Sequence, residues 1–223
     1  MKRRFLILSI VLVFVLNLVP NVGSIKHEKE IDYKLGLVQI NYDNRCMTTG
    51  FFVNKDGLIM TVAHGIPTGA FESFILEFPI YVKPSDTSQI YKAEIVALNR
   101  KADIMLLKIE KYKVKVCFDR FDQPLEHEHA TMIGFPTMEW YVQEEGKIIY
   151  NDVRGLIGVD EGLTGGASGS PVFDDDGNVI GMVNKIDQRI DYTVIVSGVY
   201  LKVFLKSYYE AEEAEKLKRL MRK

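Results

Sequence analysis

Serine and histidine are the residues here whose types and spacing promise chemistry. The stretch "GLTGGASGSPVF", Gly162 to Phe173, offers two serines among four glycines. A serine hydroxyl is a weak nucleophile at neutral pH. It needs a general base within hydrogen-bond reach, a group that fixes the base's tautomer, and donors for the developing oxyanion. Only four histidines can supply the base: His27, His64, His127 and His129. His27 lies in a charged segment. His127 and His129 alternate with glutamates in "EHEHA" and read as a solvated surface. Two histidines at that spacing, with no other His or Cys nearby, make a poor metal site. His64 stands in "MTVAHGI", where an apolar strand ends and the chain turns.

Chain order narrows the chemistry further. A nucleophile elbow of the G-x-S-x-G type needs a glycine where Ser170 stands and a histidine after the serine. No histidine follows position 129. The order His, Asp, Ser remains. Asp103, in "NRKADIMLLKI", sits immediately before an apolar strand, where a carboxylate can be held rigidly against an imidazole. Of the two serines, Ser170 precedes Pro171 and reads as the start of the next strand. Ser168 is then the candidate nucleophile.

These residues need a scaffold, and the pattern around them is all-β. From Leu35 onward, short apolar runs alternate with turn residues. Asp56-Gly57 and Asp176-Gly177 are hairpin signals, because glycine takes the positive φ such turns need. The pattern lapses into charged, irregular sequence over residues 111–128. Two six-stranded β-barrels are therefore expected, over about 35–110 and about 129–202, joined by that link. Residues 203–221 are rich in Glu, Lys, Leu and Ala and predict a terminal amphipathic α-helix.

"TVAHGI", "ADIMLLKI" and "GGASGSPVF" resemble, in order and spacing, the three signatures of trypsin-like serine endopeptidases of the chymotrypsin fold. The hairpin "TTGFFVNKDGLIMTVAH" resembles that of bacterial high-temperature-requirement proteases and glutamyl endopeptidases. "ATMIGFP" and "DDDGNVIGMVN" look like their second-half strands, and "SGVYLKVF" resembles the helix entry of the trypsin branch. The likeness covers about residues 35–208. It implies two perpendicular barrels with a cleft between them. It also implies His64 as base, Asp103 as its orienting group, Ser168 as nucleophile, and the N–H groups of Gly166 and Ser168 as the oxyanion hole. Gly166 lacks a Cβ, so its amide can turn toward the substrate oxygen. The resemblance implies peptide hydrolysis through an acyl-enzyme, with a protein or peptide as substrate. The alternative is an inert protein of this fold that binds peptides.

Three departures carry consequences. Ala167 replaces the Asp or Asn usual before the nucleophile, so the zymogen-activating ion pair with a new N-terminus has no carboxylate. Gly65 stands where many animal members have cysteine. Asn184 stands where a serine often supports the triad aspartate. The specificity pocket implied by the resemblance involves Gly162, Leu163, Thr164, Val183, Asn184, Gly198 and Tyr200. It has no aspartate at its base and no histidine at Val183, which favours a medium apolar or aromatic residue before the scissile bond.

Composition excludes other classes. With 28 basic and 30 acidic residues the net charge is −2, giving no bias toward nucleic acid. No metal or cofactor is implied: in "VFDDDGNV" the first ligand position of a calcium loop is Val172. Residues 1–24 run from Lys2-Arg3-Arg4 through an apolar stretch to Pro20 and small residues. This is the layout of a signal peptide or, retained, of a membrane anchor, and it places the domain outside the cytoplasm. Residues 25–34 read as a charged linker and 35–223 as the peptidase-like domain. Only some twenty residues follow the last predicted strand, so no PDZ module is expected after the helix. Cys46 and Cys117 can pair outside the cytoplasm, though free thiols suit a chain with no disulfide framework.

Overall fold

Among the described residues twelve strands form, and each run of six closes on itself. The computed structural model describes residues 32–42, 46–65, 79–136, 141–151, 156–159, 167–187 and 192–222. Barrel one comprises β1 (Leu37–Tyr42), β2 (Cys46–Phe52), β3 (Leu58–Val62), β4 (Ile80–Pro84), β5 (Tyr91–Asn99) and β6 (Ile104–Lys108). Barrel two comprises β7 (His129–Gly134), β8 (Val142–Asn151), β9 (Leu156–Val159), β10 (Pro171–Phe173), β11 (Val179–Asp187) and β12 (Tyr192–Ser197). The orders β1-β2-β3-β6-β5-β4 and β7-β8-β9-β12-β11-β10 are one topology used twice. Pairing of β1 with β4, and of β7 with β10, closes the rings.

Strand alternation explains why several strands are apolar throughout. Leu58, Met60 and Val62 of β3 join a core that also holds Ile133, Phe135 and Met182 of barrel two. Ile59, and Ala63 just past the strand, face the other way into barrel one's own core. Ile104 and Leu106 of β6 divide from Met105 and Leu107 in the same manner. Both faces of these strands are buried, so the usual apolar-polar alternation disappears. Each such side chain contributes about 1.5–3 kcal/mol by leaving water. Barrel two has a smaller core of its own around Val172, Ile180 and Ile195.

The link between the barrels is a strap packed on both. Phe118 and Phe121 are buried in the shared core. Phe118 N–H donates to Phe52 O at 2.8 Å, and Asp122 N–H donates to Val179 O at 3.1 Å. At its start, Asp86 accepts from Tyr112 Oη and pairs with Lys115 Nζ, both at 2.6 Å. Burial pushes the Asp86 carboxyl up, but those two donors outweigh it and hold it below the usual value. Cys117 is a free thiol whose pKa burial pushes up.

Two ends differ from expectation. The described residues begin at Asp32, whose side chain accepts from Lys34 N–H to open a 3-10 turn, Tyr33–Gly36. Tyr33 then packs on Phe118 and Phe173, so the end of the expected linker belongs to the fold. The terminal helix, α1, spans Gly198–Met221 and begins before residue 203. Ser197 is its N-cap, with Oγ accepting from Val199 N–H at 3.3 Å. Leu201 and Leu205 bury its inner face in the shared core. The expected leader, residues 1–24, lies outside the described residues. Among the described residues no helix is long and apolar enough to cross a membrane.

Candidate active site

His64, Asp103, Ser168 and Asn184 come together where the two barrels meet. His64 lies two residues past the end of β3, and Asp103 directly precedes β6, the strand paired with β3. That pairing brings residues 39 apart into contact. Ala63 N–H donates to Asp103 O at 3.3 Å, and His64 N–H donates to Asp103 Oδ1 at 2.8 Å. Asp103 adopts φ +57°. Aspartate tolerates this left-handed conformation better than most residues, at roughly 1–2 kcal/mol. The turn is closed by Asn99, whose Oδ1 accepts from Ala102 N–H at 3.1 Å.

The imidazole lies between Asp103 and Ser168. Its Nδ1 is 2.6 Å from Asp103 Oδ2, and its Nε2 is 3.3 Å from Ser168 Oγ. A carboxylate only accepts, so the Nδ1 hydrogen points at Asp103 and Nε2 is left as a base. Ser168 Oγ is also 3.3 Å from Asn184 O. Its single hydrogen therefore has two acceptors at equal distance. His64 is 49% exposed at its side chain and Asp103 19%, an accessible base backed by a shielded acid.

Asn184 completes the carboxylate's shell. Its Nδ2 donates to Asp103 Oδ2 at 2.5 Å. The pairing of β11 with β12 shifts between Val183 and Lys185, leaving Asn184 as the extra residue of a bulge. A bulge re-aims a side chain that a regular strand would point elsewhere. Asp103 thus accepts from His64 N–H, His64 Nδ1 and Asn184 Nδ2.

Ser168 sits at a tight turn closed by Ser170 N–H to Ala167 O, at 2.9 Å. Gly169, third in that turn, has φ +85°. A Cβ there would also stand 2.0 Å from Thr49 O, so conformation and space both demand glycine. Ser170 is fully buried, whereas Ser168 is part-exposed, which separates the two serines. Ala167 is 2% exposed and belongs to the core of barrel two. A carboxylate there would be buried among apolar groups.

Thr49, which the sequence reading missed, holds this turn from barrel one. Its N–H donates to Ser168 O at 3.0 Å. Its carbonyl accepts from Thr61 Oγ1 at 2.7 Å, and its hydroxyl accepts from Phe135 N–H at 3.0 Å. Thr49 and Thr61 are both fully buried. The available signal was polar residues inside otherwise apolar strands, "MTTGFF" and "LIMTV".

The expected pocket residues that the structure describes are Val183, Asn184, Gly198 and Tyr200. Gly162, Leu163, Thr164 and Gly166, the last expected to donate to the oxyanion, lie outside the described residues. Val183 is fully buried in the core of barrel two. Gly198 provides no open space, because a Cβ on it would meet Asp122 O at 2.3 Å and Val179 O at 2.4 Å. Gly198 and Tyr200 belong to the first turn of α1, since Ser197 has already ended the strand. Tyr200 lines a recess of about 550 Å³ with Asn99, Lys101, Asp103 and Asn184.

Comparison with known proteins agrees with this architecture. A probable periplasmic serine endoprotease DegP-like protein of Halomonas elongata is 29% identical over 66% of this chain and 31% of its own length. Serine protease HTRA1 of Xenopus tropicalis is 33% identical, over 66% of this chain and 33% of its own. The chain thus spans about a third of these curated relatives. A serine endoprotease from Yersinia pestis, solved by crystallography, superposes with a TM-score of 0.67 at 16% identity, covering 79% of this chain and 63% of that one. That likeness shows the fold, which is chymotrypsin-like. Residues 48–182 match the trypsin-like peptidase domain, and the chain belongs to that family.

Proposed function

We propose that this chain is a serine endopeptidase in which Ser168 attacks the substrate carbonyl. The observation that carries the reading is the continuous path from Asp103 Oδ2 through His64 to Ser168 Oγ, at 2.6 and 3.3 Å. His64 Nε2 takes the Ser168 proton as the Oγ–carbon bond forms. Asp103 keeps Nδ1 protonated and stabilises the imidazolium, without itself taking the proton. The tetrahedral oxyanion is met by the N–H groups of Ser168 and Gly166, a donor of this kind being worth about 3 kcal/mol. Collapse breaks the peptide C–N bond, and His64 gives its proton to the leaving amine. Water then repeats the sequence on the acyl-enzyme and frees Ser168. The 3.3 Å separation is ordinary without substrate, since such bonds tighten when the reacting complex forms. A peptide that draws the Ser168 hydroxyl away from Asn184 O would commit its hydrogen to His64.

The apolar leader and the periplasmic relatives support action outside the cytoplasm. The test is digestion of a denatured protein such as unfolded casein, with cleavage sites read by mass spectrometry. Wild-type cleavage that Ser168→Ala abolishes supports an enzyme. A folded wild type that binds the unfolded chain without cutting it would instead establish the inert peptide binder.

A further inference from the structure

The terminal helix outruns the barrels. Its buried face ends with Leu201, Leu205 and the partly buried Phe204 and Tyr208, and Tyr209 makes a last tie, accepting from Asn54 Nδ2 at 2.9 Å. Residues 210–222 are all exposed. The twelve helical residues from Glu210 to Met221 reach roughly 18 Å from the body.

That exposed segment has an i,i+4 ion pair of its own, Glu215 with Arg219, and two properties that suit a partner helix. Ala214, Leu217 and Met221, spaced i, i+3, i+7, share one face, with Leu220 at its edge. Leu217 is 59%, Leu220 61% and Met221 80% exposed. Its charges are also segregated along the axis. Glu210, Glu212, Glu213 and Glu215 come first, then Lys216, Lys218, Arg219 and Arg222.

We infer that residues 210–222 form a self-association surface on which the same helix of a second copy lies antiparallel. Antiparallel pairing centred between Glu215 and Lys216 sets each acidic half against the other's basic half. It sets Leu217 against Ala214 of the other copy, so a large residue meets a small one. In antiparallel pairs, flanking residues meet others on their own side of the seam. Glu213 therefore faces Lys216 of the other copy, and Glu215 faces Lys218. A longer overlap that reached back to Val203 would put Lys206 against Lys218 and Glu212 against itself. Charge thus selects the short register. The contact is isologous, so it closes as a dimer with two-fold symmetry. It is also small beside a standard interface, so the dimer is weak and concentration-dependent.

The test is sedimentation equilibrium of the full-length chain carrying Ser168→Ala, which removes self-digestion, from roughly 5 to 500 µM. The expected mass rises from one copy toward two. Leu217→Glu with Leu220→Glu shifts the midpoint at least about tenfold upward. Two further chains, E213K/E215K and K216E/K218E, are each expected to stay monomeric and to associate when mixed one to one. All substitutions are on exposed helix, and circular dichroism checks that the fold is kept. A monomer at every concentration overturns the inference. So does association that these variants leave unchanged, which lies elsewhere on the chain. Failure of the complementary pair to associate on mixing also overturns it. So does sedimentation with anionic vesicles that the same variants abolish in a chain otherwise monomeric, which makes the occupant a membrane.

Discussion

Removing the Asn184 amide should slow catalysis while leaving substrate binding nearly intact. The Asp103 carboxylate accepts from three donors, and Asn184 Nδ2 supplies one of them at 2.5 Å. Asn184→Ala leaves two, both from His64. A hydrogen bond to a charged group contributes about 1.5–3 kcal/mol net. If that contribution holds the carboxylate in line with Nδ1, its loss falls on the step in which the imidazole becomes charged. At 1.36 kcal/mol per factor of ten, the expected loss in kcat is roughly 10- to 150-fold. KM should change little, because the Asn184 amide is committed to Asp103. The assay is steady-state hydrolysis of a fluorogenic peptide chosen from the casein cleavage sites. Asn184→Ser, which keeps a donor, should recover part of the rate. The reasoning fails if Asn184→Ala keeps wild-type kcat, or if the loss appears wholly in KM.

Three further outcomes follow from particular contacts. Thr49→Val removes a buried hydroxyl that accepts from Phe135 N–H, and an orphaned buried donor costs about 1–3 kcal/mol. The melting temperature should fall by roughly 2–12 °C, whereas Thr49→Ser should stay near wild type. Gly169→Ala meets Thr49 O and a φ of +85°, so it should cost more than about 1 kcal/mol and suppress activity out of proportion to unfolding. Calorimetry and peptide hydrolysis on the same samples check this. His129 is drawn up in pKa chiefly by its hydrogen bond to Asp175, at 2.7 Å. A raised folded pKa stabilises fully below the unfolded value, about 6.5, and less as pH rises through the folded value. The stability lost in His129→Ala should therefore be larger at acidic than at alkaline pH, read as denaturant midpoints; a difference that grows with pH would contradict the pairing.

Local signals made much of this protein legible. The Asp-Gly hairpins and the turn residues around Ser168 each rest on a few neighbouring residues, and glycine's conformational freedom ties them to geometry. What stayed hidden depends on distant pairing. Asn184 reaches Asp103 only because a bulge turns one residue of β11, and no periodicity in "IGMVNKID" marks that bulge. Thr49 meets Phe135 across 86 residues. Gly198 stands among the pocket residues that the resemblance implies, but its missing Cβ admits two backbone carbonyls. The start of α1 was obscured because "TVIVSGVY" continues an apolar strand pattern, and only the Ser197 cap ends it. Ala167, odd as a departure from the family pattern, is a core residue.

The central claim is that His64 and Asp103 activate Ser168 in particular. Labelling with a fluorophosphonate, followed by peptide mapping, tests it most directly. The account predicts one adduct, on Ser168, absent in Ser168→Ala and slowed by orders of magnitude in His64→Ala, with folding confirmed for each. A folded wild type that takes no label, or an adduct that persists in Ser168→Ala, would contradict it.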